Sequence, residues 1–386
     1  MIPCSHQCID ERDVDAVRRV LKSDWLTQGP KIKEFEIALA KYCEAKYAIV
    51  VNSGTAALHT AYFAAGLTKG DEFITTPLTF AATANAGLYL GAKPVFADVD
   101  VHGNLNPDEV EKKMTQHTKL VSVVDYAGHP AQLNELRAIC KKHKLVLVED
   151  ACQALGAGYR GKKIGSISDL TTFSFHPVKS ITTGEGGAIL TNNKKRYETM
   201  LRFRTHGITK DKALYKNKKE GDWYHEMHDL GFNYRMTDTQ AALGISQLKK
   251  LIRFIRARKV IAERYHRAFA ELKKYIILPF EDAGIQSAWH LYPIRFKGDL
   301  TKKRKEIFSA LRKAGIGVQV HHIPTYWHPF YQKLGYKKGL CPRAEDFYQS
   351  EISIPIYPGL KVNDQNRVID ILVKIIKNEV ISQANM

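Results

Sequence analysis

The regular exchange of strand-like and helix-like patterns along roughly the first two-thirds of the chain limits its fold more than any other feature. "KIKEFEIALAKYCEA" sets Ile32, Phe35, Leu39 and Tyr42 on one face at helical spacing, and "YAIVV" follows as a short buried strand. The alanine-rich "TAALHTAYFAAGL" predicts a helix, "DEFITT" a strand, "AATANAGLYLGA" a helix and "KPVFADVD" a strand. The same beat continues through "LVSVVDY", "QLNELRAICKKHK" and "LVLVED". Strands separated by helices of about a dozen residues predict an α/β architecture, a mostly parallel sheet covered on both faces.

From about Thr237, "TDTQAALGISQLKKLIRFIRARKVIAERYHRAFAELKKY" holds no proline and a single glycine, and predicts a long helix leading from one domain to the next. Beyond it come "HLYPIRF", the helical "KKRKEIFSALRKAG", the apolar "IGVQV" and a helix around "NRVIDILVKIIKN", the pattern of a smaller α+β unit. The division is therefore a large α/β domain over 1–248 and a small C-terminal domain over 249–386. No repeat or flexible linker separates them, so they are expected to pack closely.

With 44% hydrophobic residues the chain can fill a full core. Lys+Arg minus Asp+Glu is 58 − 40 = +18, which favours an anionic partner through the summed field. The basic residues are spread out, and their densest group, "KNKKEGD" after Tyr215, contains acids and no aromatic platform for bases. Anionic small molecules are thus expected rather than nucleic acid. No stretch approaches the roughly 18 uncharged apolar residues of a membrane span, and the first residues lack a signal layout, so a cytoplasmic protein is expected. The six cysteines are scattered without a Cys-x-x-Cys pair and read as reduced thiols. No metal is expected at His321, His322 and His328: adjacent histidines project differently, and no carboxylate completes a ligand set.

Ligands of open α/β sheets bind beyond the carboxyl ends of the strands. Three groups end strands here. Asn52-Ser53-Gly54-Thr55, between a strand and a helix, is either a phosphate cradle or a plain N-cap. Asp150, closing "LVLVED", is either a turn cap or a functional acid. Lys179, in "FSFHPVKSITTGEGG", is either a surface lysine at a strand end or a reactive amine. Together they are the parts needed to hold pyridoxal phosphate: an anchor for the phosphate, an acid for the pyridinium nitrogen, and an amine that bonds to the cofactor's aldehyde carbon.

At these residues the sequence resembles the DegT/DnrJ/EryC1/StrS family of nucleotide-sugar aminotransferases. The resemblance runs nearly end to end through "WLTQGP", "NSGTAALHTA", "TTPLTFAATANA", "VEDACQALGA", "FSFHPVKSITTGEGG", "GFNYRMTDTQAALGISQL", "SAWHLYPI" and "SEISIPIYPGL". It implies the type I pyridoxal-phosphate-dependent transferase fold of aspartate aminotransferase. Within the family, "VDYAGH", "HPVKSITTGEGGA" and "AEDFYQSEISIP" look most like the enzyme that aminates C4 of a UDP-linked 4-keto-6-deoxy sugar in pseudaminic acid biosynthesis.

By this resemblance Lys179 carries the cofactor and, once freed, acts as the proton-transfer base, while Asp150 pairs with the ring nitrogen. Gly54, Thr55 and Ser174 match phosphate ligands, Phe80 the aromatic stacked on the ring, and Gln153 the residue beside the ring's 3-oxygen. Asn233 corresponds to a residue that reaches the phosphate of a neighbouring subunit, which implies a homodimer with shared sites. Trp25, Thr27, His322 and Tyr326 correspond to segments near the sugar-nucleotide cleft, and Arg235 offers a planar fork for a carboxylate or phosphate. The resemblance also implies an amino-acid donor such as glutamate. Family members with histidine at the lysine position dehydrate their sugar instead; Lys179 favours amino transfer.

Overall fold

The computed structural model describes residues 1–384. Strands β1 (Tyr47–Val51), β2 (Glu72–Thr75), β3 (Lys93–Phe96), β4 (Thr118–Val124), β5 (Val146–Asp150), β6 (Leu170–Ser174) and β7 (Gly187–Thr191) form a seven-stranded sheet in the order β1-β7-β6-β5-β4-β2-β3. Neighbours from β3 across to β6 pair in parallel, whereas β7 runs antiparallel to both β6 and β1. Successive strand residues enter opposite layers: Val50, Val121 and Leu147 join one apolar cluster, and Ile49, Val51, Leu120 and Val148 the other. Both faces are therefore covered, as the near-continuous apolar strands require. Helices α1 (Glu11–Leu21), α2 (Pro30–Cys43), α3 (Gly54–Ala64), α4 (Ala82–Leu88), α5 (Leu133–His143) and α6 (Lys194–Phe203) surround this sheet.

The single long helix expected from Thr237 is two helices, α7 (Asp238–Leu248) and α8 (Leu251–Ala268). Thr237 caps α7 reciprocally with Gln240, a capping box. The break falls at Lys249 and Lys250, where no proline or glycine marks it. Its cause is tertiary: the buried ammonium of Lys250 is bonded to the buried carboxylate of Asp13 on α1 and lies 3.0 Å from Asp10. Gln247 also donates to Asp13, at 2.8 Å. Lys250→Met is expected to destabilise the fold by about 3 kcal/mol, because it strands the Asp13 charge in the interior. Denaturant unfolding checks this, and an unchanged midpoint would show that the pair contributes nothing.

Strands β8 (Ile276–Ile277), β9 (Tyr292–Phe296) and β10 (Glu351–Ile354) form a small antiparallel sheet, covered by α9 (Arg304–Lys313) and α10 (Val362–Ala384) around a second core. Packing crosses the sequence division at 248/249: Ile2 lies in this second core, while Phe254 and Ala288 lie in the first. The buried Arg258 of α8 donates to the carbonyls of Trp289, His290 and Ile356, fastening the chain where the two units meet. Among the described residues no helix is long and apolar enough to cross a membrane.

Candidate active site

The carboxyl ends of β5 and β6 open toward the start of α3, and three predicted groups converge there. Asp150 ends β5 and is only 5% exposed. Thr83 of α4 donates its hydroxyl proton to Oδ2 at 2.6 Å, and the Cys152 amide donates to Oδ1 at 3.2 Å. Thr83 is in turn bonded to Thr79 at 2.7 Å. The Cys152 contact is a turn cap, but Oδ2 is held by a helix from a distant segment. Both donors fix the orientation of the carboxylate.

The strand expected to end at Lys179 stops at Ser174. Phe175 bonds back to Gly186, Pro177 offers no N–H, and Lys179 stands in the loop from β6 to β7 with its amide on the His176 carbonyl. Loss of hydration lowers the half-buried amine's pKa, opposed by Cys152 and Asp150 nearby. This raises the neutral fraction, the form with a lone pair for bond formation or proton transfer.

Ser53 is the N-cap of α3, accepting from the Ala56 amide at 3.0 Å. Gly54 serves a different need. A Cβ there would lie 2.9 Å from the Ser174 Cβ and 3.1 Å from its hydroxyl. A Cβ on Gly187 would come within 2.4 Å of the Ser53 carbonyl oxygen. The two glycines thus let the α3 turn, the end of β6 and the start of β7 touch. First-turn amides of α3, the positive end of its dipole and the Ser174 hydroxyl suit a phosphate group, with Thr55 at the same turn.

Phe80, on the loop before α4, is 67% exposed and therefore not a core residue. Its ring lies edge-on to His322 with centroids 6.4 Å apart, and the His322 Nε2 is buried without a hydrogen-bond partner. Thr325 donates twice to the Pro77 carbonyl, tying the histidine loop to the Phe80 loop. Burial first, with Lys179 adding to it, pushes the pKa of His321 down to about 4. Burial, His321 and Lys179 push His322 well below its usual value. Gln153 accepts from the Ala127 amide at 2.7 Å, which fixes the acceptor end of its side chain. A glycine cradle, an exposed aromatic face and an unpartnered imidazole nitrogen together fit a phosphorylated heteroaromatic cofactor.

Other expected contacts lie elsewhere. Tyr326 is fully buried, and its hydroxyl is occupied by Glu345 at 2.7 Å and the Cys341 amide at 3.1 Å. It is a core residue packed on Phe96, not a cleft contact, because its apolar ring and its one polar atom both find partners inside. Trp25 is 56% exposed in a basic concavity of about 600 Å³ with Arg12, Arg19, Lys31 and Lys249, whose lining contains none of the Asp150 and Lys179 group. Thr27 bridges to Thr237, and Arg235 lines a separate groove with Gln28 and Arg204. Asn233 is exposed, its carbonyl accepting from Asn52 beside the α3 turn. Sequence reasoning assigned no role to Thr83, Cys152, His290 or His321, although each lies in or near a quoted segment. A second threonine four residues after Thr79, within the quoted "TTPLTFAATANA", is the available sign for the Asp150 clamp.

The strand order, the lone antiparallel strand and ligand-holding groups at the carboxyl edge make this the fold of the type I pyridoxal-phosphate-dependent transferases. Comparison with known proteins narrows the class. The chain belongs to the DegT/DnrJ/EryC1/StrS aminotransferase family, whose model matches residues 7–373, and it is an aminotransferase. It is 42% identical over 380 residues, 98% of each chain, to the UDP-4-amino-4,6-dideoxy-N-acetyl-β-L-altrosamine transaminase of Campylobacter jejuni. The structure of Helicobacter pylori PseC, an aminotransferase involved in pseudaminic acid biosynthesis, superposes with a TM-score of 0.91 at 37% identity, covering 97% of this chain and 98% of that one. A Streptococcus pneumoniae chain described as a candidate sugar aminotransferase, in its PMP form, superposes with a TM-score of 0.90 at 31% identity over 96% and 98% of the two chains.

Proposed function

We propose that the protein is a cytoplasmic pyridoxal phosphate-dependent aminotransferase that moves an amino group from glutamate to C4 of a UDP-linked 4-keto-6-deoxy-N-acetylhexosamine, in nonulosonic acid biosynthesis. The observation that carries the reaction class is the convergence of Lys179, Asp150 and the Gly54–Ser174 cradle at one sheet edge. The identity to the Campylobacter jejuni transaminase supports the sugar.

When bound, pyridoxal phosphate would supply an aldehyde carbon for the amino group and a ring that accepts electrons. Gly54, Thr55 and Ser174 would hold its phosphate, Phe80 would cover the ring, and Gln153 would sit beside its 3-oxygen. The Asp150 carboxylate, held in place by Thr83 and Cys152, would pair with the ring nitrogen and keep a proton on it. The Lys179 amine would attach covalently and, once displaced, take the proton from Cα of the donor amino acid and return it across the site. Asn233 of a second copy would complete the phosphate contacts. Leu230 and Phe232, both exposed beside it, support a homodimer that covers this surface. Trp25, Thr27, Arg235 and His322 would meet the sugar nucleotide or the donor from that shared cleft.

The test follows the visible absorption of the protein loaded with pyridoxal phosphate through both half-reactions. Glutamate is expected to bleach the band, and the UDP-linked 4-keto sugar to restore it while gaining nitrogen. Restoration by a dTDP-linked or 3-keto sugar alone would reassign the substrate. Loss of water from the sugar without gain of nitrogen would make the protein a dehydratase.

A further inference from the structure

Outside the proposed active site, His102, His129 and Asp282 meet where the loop after β3, the loop after β4 and the segment entering β9 come together. One ligand-capable atom of each lies within 4.8 Å of the other two. The imidazoles of His102 and His129 are stacked, with centroids 4.0 Å apart and planes 10° from parallel. His102 Nε2 is 2.9 Å from Asp282 Oδ2.

His129 is the residue that a simple packing role leaves unexplained. It is 7% exposed, and neither ring nitrogen has a hydrogen-bond partner of good geometry, with only the Pro130 backbone facing the ring. A neutral imidazole carries one N–H and one lone pair, and burying both without partners is unfavourable. The backbone around it is fixed. Asn104 donates to the His129 carbonyl at 3.0 Å and accepts from the Tyr126 amide at 2.8 Å, which joins the two loops. A cavity of about 30 Å³ opens here, lined by both histidines, Phe280, Ser287 and Trp289.

We propose that His102, His129 and Asp282 form a site for a divalent zinc-class cation that clips the sheet-edge loops of the large unit to the chain entering the small one. Two imidazole nitrogens and one carboxylate oxygen are a donor set that suits zinc, whereas magnesium and calcium favour oxygen alone. Ligand bonds of about 2.1 Å around a tetrahedral ion set donor atoms roughly 3.4 Å apart. Rotation of the half-exposed Asp282 side chain, with a turn of the largely buried His102 ring out of its stack on His129, closes the present spread to that distance, and the ion takes up a lone pair of His129. Solvent at Asp282 fills the remaining position. None of the three side chains belongs to the group proposed for amino transfer, so the site is separate from the chemistry.

The experiment uses full-length protein loaded with pyridoxal phosphate, stripped with a chelator and titrated with zinc chloride by calorimetry, beside His102→Asn, His129→Gln and Asp282→Asn. One zinc per chain is expected in the wild type. Each variant should bind at least about tenfold more weakly, the lower end of what losing even an outer-shell partner costs a metal site. Cobalt substituted for zinc should give a visible ligand-field band that His129→Gln abolishes. Asp282 is at the surface, so its variant keeps the test valid even if His129→Gln folds poorly. No zinc retained by the wild type, or equal affinity in all four proteins, would overturn the proposal and leave the histidines as a stacked layer against Phe280.

Discussion

Lys179→Ala is expected to lower amino transfer by at least about 10⁴-fold, the upper end of what a single general base contributes, because one amine would both attach the cofactor and move the proton. The variant should also lack the visible band of lysine-linked cofactor. The fold should survive, since Lys179 is a half-buried loop residue whose backbone bond to His176 does not depend on its side chain. Thermal unfolding can confirm this in the same preparation. Lys179→Arg separates charge from chemistry: it keeps the cation, but a guanidinium stays protonated at any accessible pH and has no lone pair to offer. It is expected to be as inactive as the alanine variant. Turnover by Lys179→Ala within about tenfold of wild type, barely more than 1 kcal/mol of barrier, would remove the lysine from the mechanism.

Much of this arrangement is legible in the sequence because its signals are local. Alternating strand and helix patterns carry the sheet, and the residues ending β5 and preceding α3 are where such sheets bind ligands. What escaped was tertiary. Nothing in "QLKKLIRFI" announces a helix break, because its cause is an ion pair between Lys250 and Asp13, more than two hundred residues away in the chain. The strand pattern ran on through Phe175 because that residue is buried, yet its burial serves a loop. Tyr326 is a cleft candidate only through the resemblance of its segment, and that resemblance does not show that Glu345 satisfies its hydroxyl inside the core. The Thr83 clamp on Asp150 joins residues 67 apart in sequence, a pairing that only the fold creates.

Asp150→Asn tests that clamp and the charge it supports. The amide is close in shape to the carboxylate: its oxygen can keep the Cys152 bond, and the Thr83 hydroxyl can reverse to accept from the new NH₂ while passing its own proton to Thr79. Folding stability should therefore change little. What disappears is the negative charge proposed to face the ring nitrogen, and kcat is expected to fall by about 10²–10³-fold, the loss typical of removing one preorganised electrostatic contact. Pyridoxal phosphate should also dissociate more readily on dilution. Asp150→Ala should add a stability loss of about 1–3 kcal/mol, since it leaves the buried Thr83 hydroxyl and the Cys152 amide without acceptors. The two variants thus separate the carboxylate's charge from its structural role. Loss of kcat in both, with destabilisation only in alanine, is the expected pattern. Wild-type kcat in the asparagine variant would mean that Asp150 is held in place for the fold and that the ring nitrogen is protonated by some other group.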